Sequence, residues 1–144
     1  MLTDPNMMIV TSDGMLPMAL VRPGAQVLGF DGSYRSVVGV SFATLSGPEM
    51  FVVVRFRDHT RDRVCVTPGH RFWSGYGWRS ARSLEIGDTL LAFCGDNTTP
   101  AFELEKVTVM SAWLEDPPIN SFAYRIDVAD VGSYISGGLF HMDW

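Results

Sequence analysis

The residues best suited to chemistry are Thr67 and His70, the first and last residues of a Thr-Pro-Gly-His segment. Apolar strand-like runs precede and follow this segment, and its proline and glycine predict a tight turn. Because a turn brings its ends together, we expect the Thr67 hydroxyl and the His70 imidazole to reach a single backbone amide. A hydroxyl and an imidazole in this arrangement can polarise an amide and donate a proton to its nitrogen.

Alternatives remain open around this turn. The turn can be purely structural, with His70 donating to a backbone carbonyl and Thr67 acting as a cap. Cys65 is predicted to face the same side of its strand as Thr67, because side chains alternate along a strand. Its thiol is then either a reactive group beside the turn or a small packed side chain, and packing is the more common role of a buried free cysteine.

The elements that must hold this turn are short β-strands. Runs rich in Val, Ile, Phe and Tyr are separated by clusters of Gly, Pro, Asp and Asn, which is typical of strands joined by turns. Only 16–21 and 80–86 predict a helical turn, because no window keeps a helical apolar period. The predicted fold class is all-β, with strands at 7–11, 25–30, 35–44, 50–57, 63–67, 70–73, 88–94, 102–113, 121–128 and 133–140.

Three hairpins are predicted from these runs. The long runs 35–57 and 102–128 each predict a hairpin, with a Ser-Gly-Pro turn at 46–48 and an Asp-Pro-Pro turn at 116–118. The segment 57–63 mixes arginines with aspartates around His59. Such a mixture of charges is typical of a solvated hairpin tip.

An internal repeat divides the chain into two similar β-rich halves. A shift of 63 residues aligns 14–32 with 77–95 and gives five identities in nineteen positions. Three of the five are glycines, which recur because such turns often need a positive φ. The halves are predicted to meet near 96–100, within a single domain, 1–144.

Three parts of the sequence, taken in order, resemble Hint domains, the fold shared by inteins and Hedgehog autoprocessing domains. The opening part contains TSDGMLP (11–17) and PGAQVLGFDG (23–32), the central part is VTPGHRFWSGYGWRSARSLEIGDTLL (66–91), and the closing part is YRIDVADVGSYISGGLFH (124–141). The resemblance implies a β-disc of two pseudo-twofold halves with self-splicing or autoproteolytic ancestry. It implies catalytic roles for Thr67 and His70. It also places His141 at the family's penultimate His, as an assisting or vestigial residue, although a buried structural histidine is the more common role for such a residue.

The groups that would cut the chain are missing at both ends. Hint self-processing needs a Cys, Ser or Thr at the first position, and the resemblance puts Met1 or Leu2 there, with Thr3 a step inside. The terminal Asn position holds Met142, and the acceptor position after it holds Asp143. We therefore predict that the domain does not splice as written.

Two further positions depart from the family pattern. Gly132 stands where many Hint domains carry a His, and Arg125 stands where some carry a catalytic Asp. The sequence also begins within one or two residues of the expected boundary and ends at Trp144, two residues past the expected Asn position. We expect this of a stand-alone, excised or engineered domain.

Three hypotheses for function follow. The leading one is a degenerate intein-like domain that serves as a structural or binding module with a protein partner or host protein. The second is a trapped or engineered form of an active self-splicing intein, in which Cys or Ser at position 1 and Asn at position 142 would restore cleavage. The third is a small virion or assembly subunit that uses the Hint fold. Exposed members among the aromatic residues would suit a protein contact, and the candidates are Tyr76, Trp78, Trp113 and Trp144.

Composition argues against several other classes. With 47% hydrophobic and 19% charged residues the chain is globular rather than disordered. A net charge of −5 argues against nucleic acid, and no apolar run approaches the ~20 residues of a membrane span. Cys65 and Cys94 make no disulfide framework, and the three His and two Cys lack the paired spacing of a metal site. We predict no metal or cofactor and a reducing compartment, either cytoplasmic or virion-associated.

Overall fold

The computed structural model of the protein describes residues 1–93, 103–130 and 132–143. Short antiparallel strands make up almost all of its regular structure, which confirms the all-β prediction. The strands are β1 (Met8–Thr11), β2 (Gly14–Pro17), β3 (Gln26–Leu28), β4 (Tyr34–Thr44), β5 (Glu49–Arg55), β6 (Arg61–Val66), β7 (Arg71–Trp73), β8 (Trp78–Ser80), β9 (Thr89–Phe93), β10 (Leu104–Glu115), β11 (Phe122–Val128), β12 (Tyr134–Ser136) and β13 (Leu139–Met142).

Two short 3₁₀ helices, Met18–Leu20 and Ala81–Ser83, lie where the sequence predicts helical turns. Among the described residues, no helix is long and apolar enough to cross a membrane. The strands β2 and β8 were not predicted from the sequence. The single strand predicted over 133–140 is two strands, β12 and β13, because Gly137 and Gly138 form a turn between them with φ of 58° and 77°. Cys94, the predicted junction at 96–100 and Trp144 lie outside the described residues.

Alternation along the strands sends one set of side chains into a single main core. Val52 and Val54 of β5 and Val64 and Val66 of β6 are all fully buried, as a period of two residues predicts. Burying a side chain of this size contributes about 1.5–3 kcal/mol. The core therefore fixes which face of each strand points inward.

Leu2 closes the sheet into a ring. The strand order is β11-β4-β3-β1-β12-β13-β9-β10-β5-β6, with β2 paired to β1 and the β7–β8 hairpin paired to β13. Leu2 donates to the Tyr124 carbonyl of β11 at 3.1 Å and accepts from the Tyr124 N–H at 2.8 Å. It also bridges Val66 of β6. The first residues of the chain thus join the two edge strands.

The two long predicted hairpins are wrong. β4 pairs with β11 and β5 pairs with β10, so the strands on either side of the 46–48 turn have different partners. Each half of the chain lends a long strand to the other half. The sequence could not reveal this exchange, because either pairing buries the same alternate residues. The charged segment 57–63 does join a hairpin, β5–β6, and its His59 is exposed, as predicted.

Two glycines that the internal repeat aligns have matching backbone geometry. Gly24 donates to the Val37 carbonyl and Gly87 donates to the Val109 carbonyl, each at 2.8 Å. The two glycines have φ of 95° and 94°. The shared glycines therefore mark one turn that is used twice.

This equivalence predicts equal costs for Gly24→Ala and Gly87→Ala. A Cβ at either position would meet no atom within 4 Å, so the cost comes from the positive φ alone. We expect each variant to lose about 1–2 kcal/mol of unfolding free energy, measured by urea denaturation. A large difference between the two variants would contradict the pseudo-twofold equivalence of the turns.

Candidate functional site

The predicted turn joins the end of β6 to the start of β7. The His70 N–H donates to the Thr67 carbonyl at 3.0 Å, which closes the turn. The second 3₁₀ helix fastens it, because the Ala81 N–H donates to the His70 carbonyl at 2.7 Å. Backbone hydrogen bonds therefore fix both Thr67 and His70, and the prediction of a tight turn is confirmed.

Both side chains converge on the nitrogen of Met1. This nitrogen, an α-amino group in the structure, donates to Thr67 Oγ1 at 2.9 Å and lies 2.8 Å from His70 Nδ1. The Met1 carbonyl accepts from the Thr67 N–H at 2.8 Å. A hydroxyl and an imidazole thus meet one main-chain nitrogen, which is the arrangement that the spacing predicts.

His141 lies behind His70 in a buried chain of hydrogen bonds. His70 Nε2 is 2.7 Å from His141 Nδ1, and His141 Nε2 is 2.8 Å from the Ser136 carbonyl oxygen. Tyr134 stacks on the His141 ring with 5.3 Å between ring centroids. Both imidazoles are buried, so their orientations are set by the core.

The hydrogen bonds assign a direction to this chain. A carbonyl oxygen only accepts, so His141 Nε2 carries a proton, and in a neutral ring its Nδ1 then accepts from His70 Nε2. That leaves the lone pair of His70 Nδ1 facing the Met1 nitrogen. Burial lowers the pKa of His70 despite the nearby Asp143, and burial together with His70 lowers the pKa of His141 well below its usual value. The neutral forms are therefore the stable ones.

Asp143 brings a buried carboxylate to the same nitrogen. Its Oδ2 accepts from the Ile126 N–H and from the Tyr134 hydroxyl, each at 2.9 Å. Its Oδ1 lies 3.0 Å from His70 Nδ1 and 3.3 Å from the Met1 nitrogen. Burial alone would raise the pKa of Asp143, but a protonated His70, which donates its Nδ1–H to this carboxylate, the Met1 ammonium and the Ile126 N–H together hold that pKa far below its usual value.

Strand alternation explains why Asp143 enters the site and Met142 does not. Side chains two residues apart share a face of a strand, so His141 and Asp143 point to one side and Met142 to the other. Asp143 lines the small cavity around Met1, together with Thr67, whereas Met142 is buried outside that cavity. Sequence reasoning gave Asp143 no role inside the site, although this parity was available as a signal.

Comparison with known proteins gives a fold. No protein-family model and no curated protein sequence matches the chain. The crystal structure of the gp41-1 intein matches with a TM-score of 0.73 at 15% identity, covering 99% of this chain and 98% of that one. The solution structure of a bacterial intein-like domain from Clostridium thermocellum matches at 0.75 and 15%, covering 99% and 98%. The crystal structure of the MchDnaB-1 intein matches at 0.69 and 21%, covering 98% of each chain. The chain has the intein fold.

Within the intein fold, the other residues near the first position lie away from the Met1 nitrogen. Leu2 is fully buried in the main core. Thr3 and Cys65 line a different cavity from the one around Met1. Burial raises the pKa of the Cys65 thiol to about 11. The structure therefore favours packing over reactivity for Cys65.

The surroundings of Gly132 and Arg125, the two further departures from the family pattern, differ in the structure. A Cβ at Gly132 would lie 2.4 Å from Val128 Cγ1 and 2.9 Å from the Ala129 carbonyl oxygen. A histidine could not occupy that position without a shift of the backbone. Arg125 lines the mouth of the Met1 cavity, but its Nε donates to Asp127 at 2.7 Å. Neither residue supplies a second acid or base to the Met1 nitrogen.

The aromatic candidates for a contact surface differ in exposure. Tyr76 is 94% exposed. Trp78 packs against Phe30 and Trp73, with ring centroids 5.6 Å and 5.3 Å away. Trp113 stacks on Phe51 of the neighbouring strand. Of the described candidates, only Tyr76 stands free in solvent.

The buried histidine pair predicts a loss of stability in weak acid. The unfolded chain takes up protons near pH 6.5, while the folded chain resists them because both histidine pKa values are lowered. The free energy of unfolding should therefore fall as the pH drops below about 6.5, by up to about 1.4 kcal/mol per pH unit for each histidine. Urea denaturation between about pH 7 and pH 5 measures this slope. His141→Gln should reduce it, and a stability independent of pH in this range would contradict the neutral pair.

Proposed function

We propose that this domain is an intein-fold module that does not splice and that serves as a structural or binding part of a larger protein assembly. The observation that carries the proposal is the place of Met1. The residue whose nitrogen meets Thr67 and His70 is the one whose side chain must attack the preceding carbonyl. A thioether has no proton to lose and cannot form a stable ester or thioester.

The C-terminal end supports the same proposal. The C-terminal residue whose side chain reaches the Met1 nitrogen is Asp143. Its carboxylate has no amide nitrogen to cyclise as an asparagine does. Its Oδ2 already accepts from Ile126 and Tyr134. We infer that position 143 stands closer to the family's terminal Asn position than Met142, which the resemblance places there.

The test is a fusion with a folded reporter protein at each end of the unaltered sequence, weighed by intact-mass spectrometry with and without added thiol. We expect a single uncut mass. Release of either reporter, or a joined pair of reporters, would overturn the proposal. Thr3→Ala and Thr67→Ala versions of the fusion would then identify the hydroxyl responsible.

A second candidate, the trapped form of an active intein, is favoured by the intact contacts of Thr67 and His70 with the Met1 nitrogen. It predicts that Met1→Cys combined with Asp143→Asn, or with Met142→Asn, restores cleavage, and that His70→Ala then abolishes it. Our proposal expects no cleavage from either pair, because Gly132 and Arg125 supply neither the histidine nor the aspartate that the family pattern has at their positions. Cleavage that requires His70 would favour the trapped form.

A further inference from the structure

A second cavity of about 430 Å³ lies beside the N-terminal segment, and it shares no lining residue with the Met1 cavity. We call it the N-terminal groove. The lining residues on which its chemistry depends are Asp4, Met8, Met15, Phe56, Asp62 and Ser136. The Met1 site touches this groove through the Ser136 carbonyl, which lies 2.8 Å from His141 Nε2, and not through Ser136 Oγ.

The groove holds two carboxylates that pair with no cation of the described residues. Asp4 accepts from the Asn6 N–H at 2.9 Å and Asp62 accepts from the Arg63 N–H at 2.8 Å, and each bond uses one oxygen. Neither carboxylate forms an ion pair within the described part of the chain. Arg63 also lines the groove, but its guanidinium lies 5.1 Å from the centre of the Phe51 ring, on the other face of β6 from Asp62. The charged lining residues are thus two carboxylates and one guanidinium, an excess of negative charge.

Ser136 adds a buried polar group without a partner. It lines the groove, it is fully buried, and its Oγ has no hydrogen-bond partner among the described residues. A buried hydroxyl left unpaired costs free energy that most folds avoid. This is an observation independent of the two acids, and it is explained if a ligand group completes the hydrogen bond.

The rest of the groove is apolar and adaptable. Met8 is 38% exposed and Met15 is 51% exposed, and unbranched thioether side chains adjust to varied partners. The turn between β12 and β13 presses close to Phe56, since a Cβ at Gly138 would lie 3.0 Å from its ring. An aromatic ring beside carboxylates suits an organic cation on an apolar stem.

We propose that the N-terminal groove binds a segment of a partner polypeptide that carries a lysine or arginine side chain beside apolar side chains. The cationic head contacts Asp4 and Asp62, the peptide supplies a partner for Ser136 Oγ, and the apolar side chains pack on Met8, Met15 and Phe56. This inference rests on the proposed function in one respect, because both suppose that the domain binds another protein. It adds that the bound segment is cationic and apolar.

The probe is the peptide acetyl-Leu-Lys-Leu-Lys-Leu-amide, titrated into ¹⁵N-labelled full-length protein and followed by amide chemical shifts. We expect saturable shifts at Asn6, Asp62, Gly137 and Gly138. The peptide with glutamate in place of lysine should produce no saturable shift. The arginine version should bind as well as the lysine version, because both carry a cation on an apolar stem.

The variants separate a binding role from a structural one. Asp4→Asn and Asp62→Asn should each weaken binding of the lysine peptide about tenfold, while Asp116→Asn, an exposed loop carboxylate, should leave it unchanged. Ser136→Ala should weaken binding several-fold without lowering the thermal midpoint, because its Oγ loses no partner within the protein. The proposed peptide binding would be overturned by equal binding of the acidic peptide, by no binding at all, or by an affinity that both aspartate variants leave unchanged.

The two proposals fail separately. An uncut reporter fusion together with no peptide binding would overturn the proposed peptide binding and leave the proposed function standing.

Discussion

Replacing Asp143 with alanine is expected to lower the free energy of unfolding by about 3–5 kcal/mol, because breaking a buried ion pair leaves its partners uncompensated. The carboxylate is fully buried, with its oxygens directed at the Ile126 N–H, the Tyr134 hydroxyl, His70 and the Met1 nitrogen. Its removal leaves the Tyr134 hydroxyl and the Ile126 N–H without an acceptor and the Met1 ammonium without its counter-charge. The loss is a large part of the ~5–15 kcal/mol that holds a domain of this size. Urea denaturation at pH 7, followed by tryptophan fluorescence, measures it.

Asp127→Ala is the matched control. Asp127 also pairs with a cation, Arg125, but the two side chains are 41% and 44% exposed, and exposed ion pairs contribute about 0–1 kcal/mol. Asp143→Asn keeps an acceptor for Tyr134 and Ile126, so it should fall between the two. If Asp143→Ala were no more destabilising than Asp127→Ala, the carboxylate would not be the centre of the site.

The Asp143 pKa gives this prediction a second signature. Because the folded pKa is depressed, the stabilisation is complete above the unfolded value, about 3.9. It is lost as the pH falls from there through the folded pKa. The wild-type protein should therefore lose stability below about pH 4 in addition to the loss from the histidines. Asp143→Asn should remove this second loss and keep the loss from the histidines, because their pKa values fall further without the carboxylate. A loss of stability below about pH 4 that survives in Asp143→Asn would mean that another carboxylate is responsible for it.

The local part of the site could be predicted from the sequence, whereas the long-range part could not. Thr67 and His70 are three residues apart, so turn chemistry alone brings them together. Asp143 acquires its role from Ile126 and Tyr134, 17 and 9 residues away in the sequence. Those contacts depend on which strands lie side by side. Composition and spacing carry no information about that choice, and the parity with His141 indicates only the face of the strand to which Asp143 points.

The fold shows the same division. The all-β class, the two helical turns and the repeat were predictable because each rests on a short pattern, such as the glycines at 24 and 87. The exchange of long strands between the halves was not, because β4 and β5 would bury the same side chains in a hairpin with each other as they do against β11 and β10. The strand partners follow from the order of the whole sheet, whose two edge strands Leu2 joins.

Leu2→Ala should cost about 2–5 kcal/mol of unfolding free energy, since it removes a fully buried side chain from the main core and leaves a cavity. Leu20→Ala is the control: Leu20 is 56% exposed, and its truncation should change stability by less than about 0.5 kcal/mol. Leu2→Pro should cost more than Leu2→Ala, because it also removes the N–H that donates to the Tyr124 carbonyl. Equal costs for the two Leu2 variants would mean that the backbone bridge contributes nothing.

Hydrogen exchange tests whether ring closure and the site depend on each other. The Tyr124 amide donates to the Leu2 carbonyl and the Thr67 amide donates to the Met1 carbonyl, so both amides are protected only while residues 1–3 stay in place. In Leu2→Ala these two amides should exchange faster together, while the Val109 amide, which donates to the Asp88 carbonyl, keeps the rate set by global unfolding. Separate rates at Tyr124 and Thr67 would mean that the turn holds Met1 without help from the ring. A common rate would mean that the contacts of Thr67 and His70 with the Met1 nitrogen exist only while Leu2 holds the two edge strands together.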